Sequence, residues 1–181
     1  MKQNEKQITK IVYSSWDFQQ ALSAITFLFD ECDFNKKYDR ISMRKFRCYE
    51  STLIISMSRP LQKSRGGTTL GLKNLGIKYN EEERKLVDKI LNLRKKIVAH
   101  SDESEMNFKM NLIPIEDEIN MPHIQFKESL HLSYKELNQI EDLLRRFMYS
   151  ISKYLMEYSK VYPKSFERHK KTISQENKND A

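Results

Sequence analysis

Helix-breaking residues are scarce in this 181-residue sequence, which has four glycines and four prolines, as expected of a mostly helical protein. Cysteine is scarcer still. Cys32 and Cys48 form no C-x-x-C pair and no Cys/His ligand spacing, so a disulfide framework and a zinc knuckle are excluded, and a reducing cytoplasm fits. No apolar run approaches a membrane span, and the start MKQNEKQITK is too polar for a signal peptide. Internal repeats and long low-complexity runs are also lacking. What the sequence has is basic charge, a net +7 with a pI near 9.3. That balance favours an anionic partner, RNA foremost, although solubility alone accounts for much of it.

The length fits one domain able to bury a full core without disulfides. Gln7 to about Glu31 reads as a first helix, with Ile11, Phe18, Leu22, Ile25 and Phe29 at helical spacing and Val12, Trp16 and Leu28 alongside. Its apolar face is wide enough to be covered on two sides, and Trp16 reads as core rather than as a base-stacking platform. A second helix runs from about Asp39 to Ser58, and Pro60 ends it or sits just beyond. Between Lys36 and Arg65 lie nine Lys or Arg and two acids, Asp39 and Glu50. Arg40, Arg44 and Arg47 form one stripe, either a solvated face or a track for RNA phosphates, with no acid of the segment to balance it. All four glycines fall in Ser64–Tyr79, a flexible connector with no P-loop ending.

Period-two alternation of Met106, Phe108, Met110 and Leu112, and again of Ile124 and Phe126, predicts a β-hairpin-like excursion between Met106 and Leu132. His123 and His131 read as surface histidines within it. Ser133 and Glu136 form a capping box that opens a last helix to about Tyr158, stopped by Pro163. The predicted organisation is a mainly all-α domain over residues 1–162, an antiparallel bundle of four main helices with the hairpin before the last, and a polar, disordered tail over 163–181.

The central stretch is NEEERKLVDKILNLRKKIVAHSD, Asn80 to Asp102. Asn80 and Glu83 make a capping box, and Glu81 and Glu82 sit on the positive end of the helix dipole. On a wheel of roughly 100° per residue, Leu86, Val87, Ile90, Leu91, Leu93, Ile97 and Val98 fill one apolar arc. Arg94 falls inside that arc, and His100 continues its edge. A cation in an apolar stripe is costly unless paired. One reading is structural: Arg94 pairs with a buried acid such as Glu50, and His100 sits where a helix C-terminus favours its cationic form. The other is an anion site in which Arg94 holds a phosphate and His100 moves a proton.

Arg94-Lys95-Lys96-Ile97-Val98-Ala99-His100 resembles the arginine-spacer-histidine signature of the HEPN superfamily, helical domains many of which are metal-independent endoribonucleases acting as homodimers. The wider LRKKIVAHSD is similar to the abortive-infection branch, where an arginine, an Ala-His pair and a Ser-Asp step recur. Lys95 stands where members often carry Asn, Asp or His. Asp102 stands where the branch modified by nucleotidyltransferase antitoxins carries tyrosine, so that mode of control is not expected. The resemblance implies a HEPN-type four-helix bundle, catalytic Arg94 and His100, and a phage-defence effector or toxin with an antitoxin or defence-system protein as partner.

The residues agree with that chemistry. RNA supplies its own nucleophile, the 2′-hydroxyl. Histidine titrates near neutrality and arginine offers a fork matched to phosphate oxygens. No metal and no cofactor are called for. Lys95 and Lys96 add charge beside the motif, and Asp102 or Ser101 can orient His100 through a hydrogen bond. Residues six apart lie about 120° apart on an ideal helix, so either the helix unwinds near Ala99 or a second copy completes the site. Two alternatives stand beside the nuclease: a non-catalytic RNA-binding or dimerisation module, and a plain helical scaffold.

Overall fold

The computed structural model describes residues 2–63, 69–98, 108–116, 119–126 and 128–163. Among them are four α-helices, α1 (Lys2–Glu31), α2 (Arg40–Leu61), α3 (Glu81–Leu93) and α4 (Tyr134–Val161). One two-stranded antiparallel sheet pairs β1 (Phe108–Glu116) with β2 (Ile119–Phe126). The mainly helical reading is therefore met, and none of the described helices is long and apolar enough to cross a membrane. The expected tail from residue 164 onward lies outside the described residues.

All four helices contribute to one core. On α1 the buried line is Ile8, Ile11, Ser14, Phe18, Ala21, Ile25 and Leu28, the three-and-four spacing of a single stripe. Ser14 is tolerated there because its hydroxyl donates to the carbonyl of Lys10 at 2.7 Å. Phe18 meets Phe147 of α4 with ring centroids 4.9 Å apart. Burying each such ring stabilises the fold by up to about 3 kcal/mol. Trp16 corrects the sequence reading. Two residues before Phe18 it points to the far side of α1 and is 62% exposed, with Val12 and Tyr13 beside it. α1 packs against both α2 and α4, and the side that carries Val12, Tyr13 and Trp16 is left exposed.

Asp39 caps α2 by accepting the amide of Ser42 at 2.7 Å. Pro60 does not end α2; it lies buried inside the last turn, and the helix runs on to Leu61. So near the end a proline removes one backbone bond, while the turn beyond still closes through the Gln62 amide on the Ser58 carbonyl. The Pro60 carbonyl in turn accepts the amide of Leu70 at 2.8 Å. The described part of the glycine-bearing connector is packed rather than loose. Leu70, Leu75 and Ile77 are buried, and a 3₁₀ turn over Leu72–Leu75 closes on Gly76, whose φ of 70° suits glycine. Residues 64–68 of that connector lie outside the described residues.

Both predicted capping boxes form, at Asn80/Glu83 and Ser133/Glu136. Each capping glutamate also reaches the other helix. Glu83 accepts from Arg146 of α4 at 2.8 Å, and Glu136 accepts from Lys89 of α3 at 2.6 Å. The hairpin runs Phe108↔Phe126, Met110↔Ile124 and Leu112↔Pro122, with an irregularity between Pro114 and Glu116. β1 passes through Pro114; in a two-stranded ribbon one edge of each strand has no ladder to lose. Phe108, Met110, Leu112 and Ile124 remain exposed on it.

Candidate nucleic-acid interface

The motif helix is α3. Leu86, Val87 and Ile90 are buried, and Leu91 and Leu93 are half-buried against the core. Arg94 follows in the same arc and is half-buried. At Arg94 the regular helix ends. Its amide is shared between the carbonyls of Ile90 and Leu91, and Arg94–Val98 form a π-helical turn. Single π turns are frequent at functional sites because they re-aim side chains that an α-helix would hold in register. The expected continuous helix is thus replaced at the motif arginine by a wider turn. His100, Ser101 and Asp102 lie outside the described residues, so their place relative to Arg94 is not part of the geometry that follows.

The guanidinium of Arg94 donates through Nη1 to Oε1 of Gln62, just past the end of α2. Sequence reasoning missed Gln62, and 32 residues of separation left no local signal. The acid suggested for Arg94 has another task. Glu50 is 2% exposed and takes the amides of His131 and Leu132 on Oε1 at 2.7 and 2.8 Å. Burial drives its pKa up to about 7, against the pull of those two amides and of the Arg47 and Lys89 charges. It is a carboxyl that holds the segment leading into α4.

His131 also departs from the sequence reading. It is half-buried and lines an open cleft of about 660 Å³ with Lys85, Asp88, Lys89, Asn92 and Lys96. Lys95 and Lys96 are exposed on the π turn. Lys96 faces this cleft, while Arg94 reaches toward α2, so the π turn presents its cations to two sides.

The arginine stripe of α2 divides in the same way. Arg40 and Arg44 donate through Nε to one oxygen of Glu128, at 3.3 and 2.7 Å. Arg47 is half-buried on the side of Glu50. Glu128 is a residue that sequence reasoning did not single out. Its side chain is 7% exposed. Burial raises its pKa, but the hydrogen bonds and charges of Arg44 and Arg40 outweigh burial and hold it below the ordinary carboxylate value. A balancing acid for the stripe therefore exists, from a segment more than eighty residues away. Among the described residues, no three His, Cys, Asp or Glu side chains converge as a metal site would require. Compared with known proteins, the chain matches no family model, no curated protein and no solved structure.

Proposed function

We propose that this chain is a metal-independent endoribonuclease of the HEPN type, acting as a homodimer in phage defence or as a toxin. The observation that carries the reading is Arg94. An arginine stands half-buried in the apolar arc of α3, at the residue where the helix changes to a π turn, and it donates to the neutral amide of Gln62. A neutral partner orients the fork without cancelling its charge, which leaves it able to hold a phosphate. In the proposed reaction the RNA 2′-hydroxyl attacks the adjacent phosphorus, His100 moves the proton, and Arg94 stabilises the charge that develops on the phosphoryl oxygens. The bond from phosphorus to the 5′ oxygen breaks. The products are a 2′,3′-cyclic phosphate and a 5′-hydroxyl. A two-fold arrangement with the motif helices near the axis brings two copies of Arg94 and His100 to one cleft.

The test is cleavage of RNA and of matched DNA in excess chelator, with end-group analysis. RNA alone should be cut. His100→Ala should lose about 10²–10⁴-fold in rate while remaining folded. Arg94→Lys, which keeps the charge but not the two-pronged grip, should be badly impaired. Cutting that persists in His100→Ala, needs a divalent ion or leaves a 5′-phosphate would rule the mechanism out. Salt-dependent RNA binding without cutting by the unaltered protein would assign it to the non-catalytic binding module instead.

A further inference from the structure

The start of α2 is electrostatically odd. A helix N-terminus carries partial positive charge and favours acids in its first turn. Inside that turn α2 has none, its acid being the cap Asp39; the helix begins at Arg40 and adds Arg44 one turn later. Among the described residues, both arginines pair from a distance with Glu128, one carboxylate set against two guanidiniums. The geometry does not close the group. Both arginines use their Nε on the same oxygen of Glu128, whereas Oε2 is buried with no hydrogen-bond partner. A self-contained structural pair would have taken both oxygens in two parallel bonds. The bonds to Glu128 run through Nε rather than Nη, and the two arginine side chains are 55% and 56% exposed. Beside them lies an open cleft of about 290 Å³, lined by Tyr38, Asp39, Arg40, Met43, Gln125 and Glu128. Its walls are fixed. Tyr38 accepts the Asp33 amide at 2.7 Å and packs edge-on against Phe46, and Asp39 is committed to capping α2.

We propose that Arg40 and Arg44, held side by side by Glu128, form a phosphate clamp for single-stranded RNA, with the adjoining nucleotide in the cleft next to Gln125. An anion seated on the two Nη edges meets two forked guanidiniums at once. Glu128 is then a positioning residue. It aims the guanidiniums outward and does not touch the phosphate. This rests on the reading of the chain as an RNA-binding protein, but not on the cleavage chemistry at Arg94.

The sign of one substitution separates positioning from simple charge. Glu128→Gln removes a negative charge beside the site, so bulk electrostatics alone would tighten RNA binding and steepen its salt dependence. The clamp requires the opposite. Binding of a short single-stranded RNA, measured by fluorescence anisotropy across a salt series in a His100→Ala background, should weaken about tenfold. The salt slope should become shallower by about one or two phosphate contacts. Arg40→Lys with Arg44→Lys keeps the charge but loses the fork, and should weaken binding similarly. Adding Glu128→Gln to that pair should then change little, because nothing remains to be aimed. Equal or tighter binding by Glu128→Gln, or full additivity with the lysine pair, overturns the clamp and leaves the RNA reading intact. An unaltered protein that binds no RNA overturns both. Should Glu128→Gln fail to fold, the lysine pair decides alone, and unchanged binding by it refutes the clamp.

Discussion

Glu50 is a charged residue that the fold buries almost completely, and its cost has a sign. Its folded pKa, about 7, lies above the ordinary carboxylate value, so the fold favours the protonated form. The stability it contributes is fully present below its unfolded pKa and is lost as pH rises through about 7. A shift of this size corresponds to roughly 3 kcal/mol at most. Glu50→Gln keeps an oxygen for the amides of His131 and Leu132 but cannot ionise. Denaturant titrations from pH 4 to pH 8 should show that component of the decline in the unaltered protein and its loss in the variant; the same pH dependence in both would refute this account. Gln62 makes the second prediction at this scale. Without its amide, Arg94 keeps its charge but loses its aim, so Gln62→Ala should slow RNA cleavage about ten- to a hundredfold with little change in binding. A variant as fast as the unaltered protein would show that the contact with Arg94 has no catalytic use.

At the scale of elements, α3 and α4 are joined through their own caps. Glu83 and Glu136 each close a capping box on one helix and an ion pair with the other. Ser133→Ala removes the cap of α4 alone and should cost about 1 kcal/mol. Glu136→Ala loses the reciprocal cap and also frees Lys89, so it should cost more than Ser133→Ala; equal losses in thermal melts would mean the pair with Lys89 adds nothing. Both boxes were legible in the sequence, because a cap is written in residues three apart. The end of α3 was not. Periodicity carried the helix through Arg94 without a break, and the change to a π turn leaves no mark in hydrophobic spacing. Pro60 misled for a related reason: the rule for proline in a helix interior weakens in the last turn, where few backbone bonds remain.

For the whole molecule, the informative surfaces are those the chain does not cover. Val12, Tyr13 and Trp16 on α1, and Phe108, Met110, Leu112 and Ile124 on the hairpin, stay exposed. Contiguous apolar exposure marks contact with something else. The proposed homodimer predicts twice the chain mass of 21.7 kDa by light scattering at micromolar concentration. A monomer there would count heavily against a site shared between two copies.

By itself the sequence determined what is local or periodic: four helices, two capping boxes, a hairpin in the right place, and an arginine out of keeping with its stripe. These follow from neighbours within a turn or a pleat, whose geometry does not depend on the rest of the fold. Tertiary structure alone decided the partners. Gln62 for Arg94, the amides of His131 and Leu132 for Glu50, and Glu128 for Arg40 and Arg44 come from positions 32 to 88 residues away. Which of them meet depends on how the helices cross. Which charges end up paired, and which stay exposed, depends on the same crossing, because pairing and desolvation act over a few ångströms and carry no trace of sequence distance.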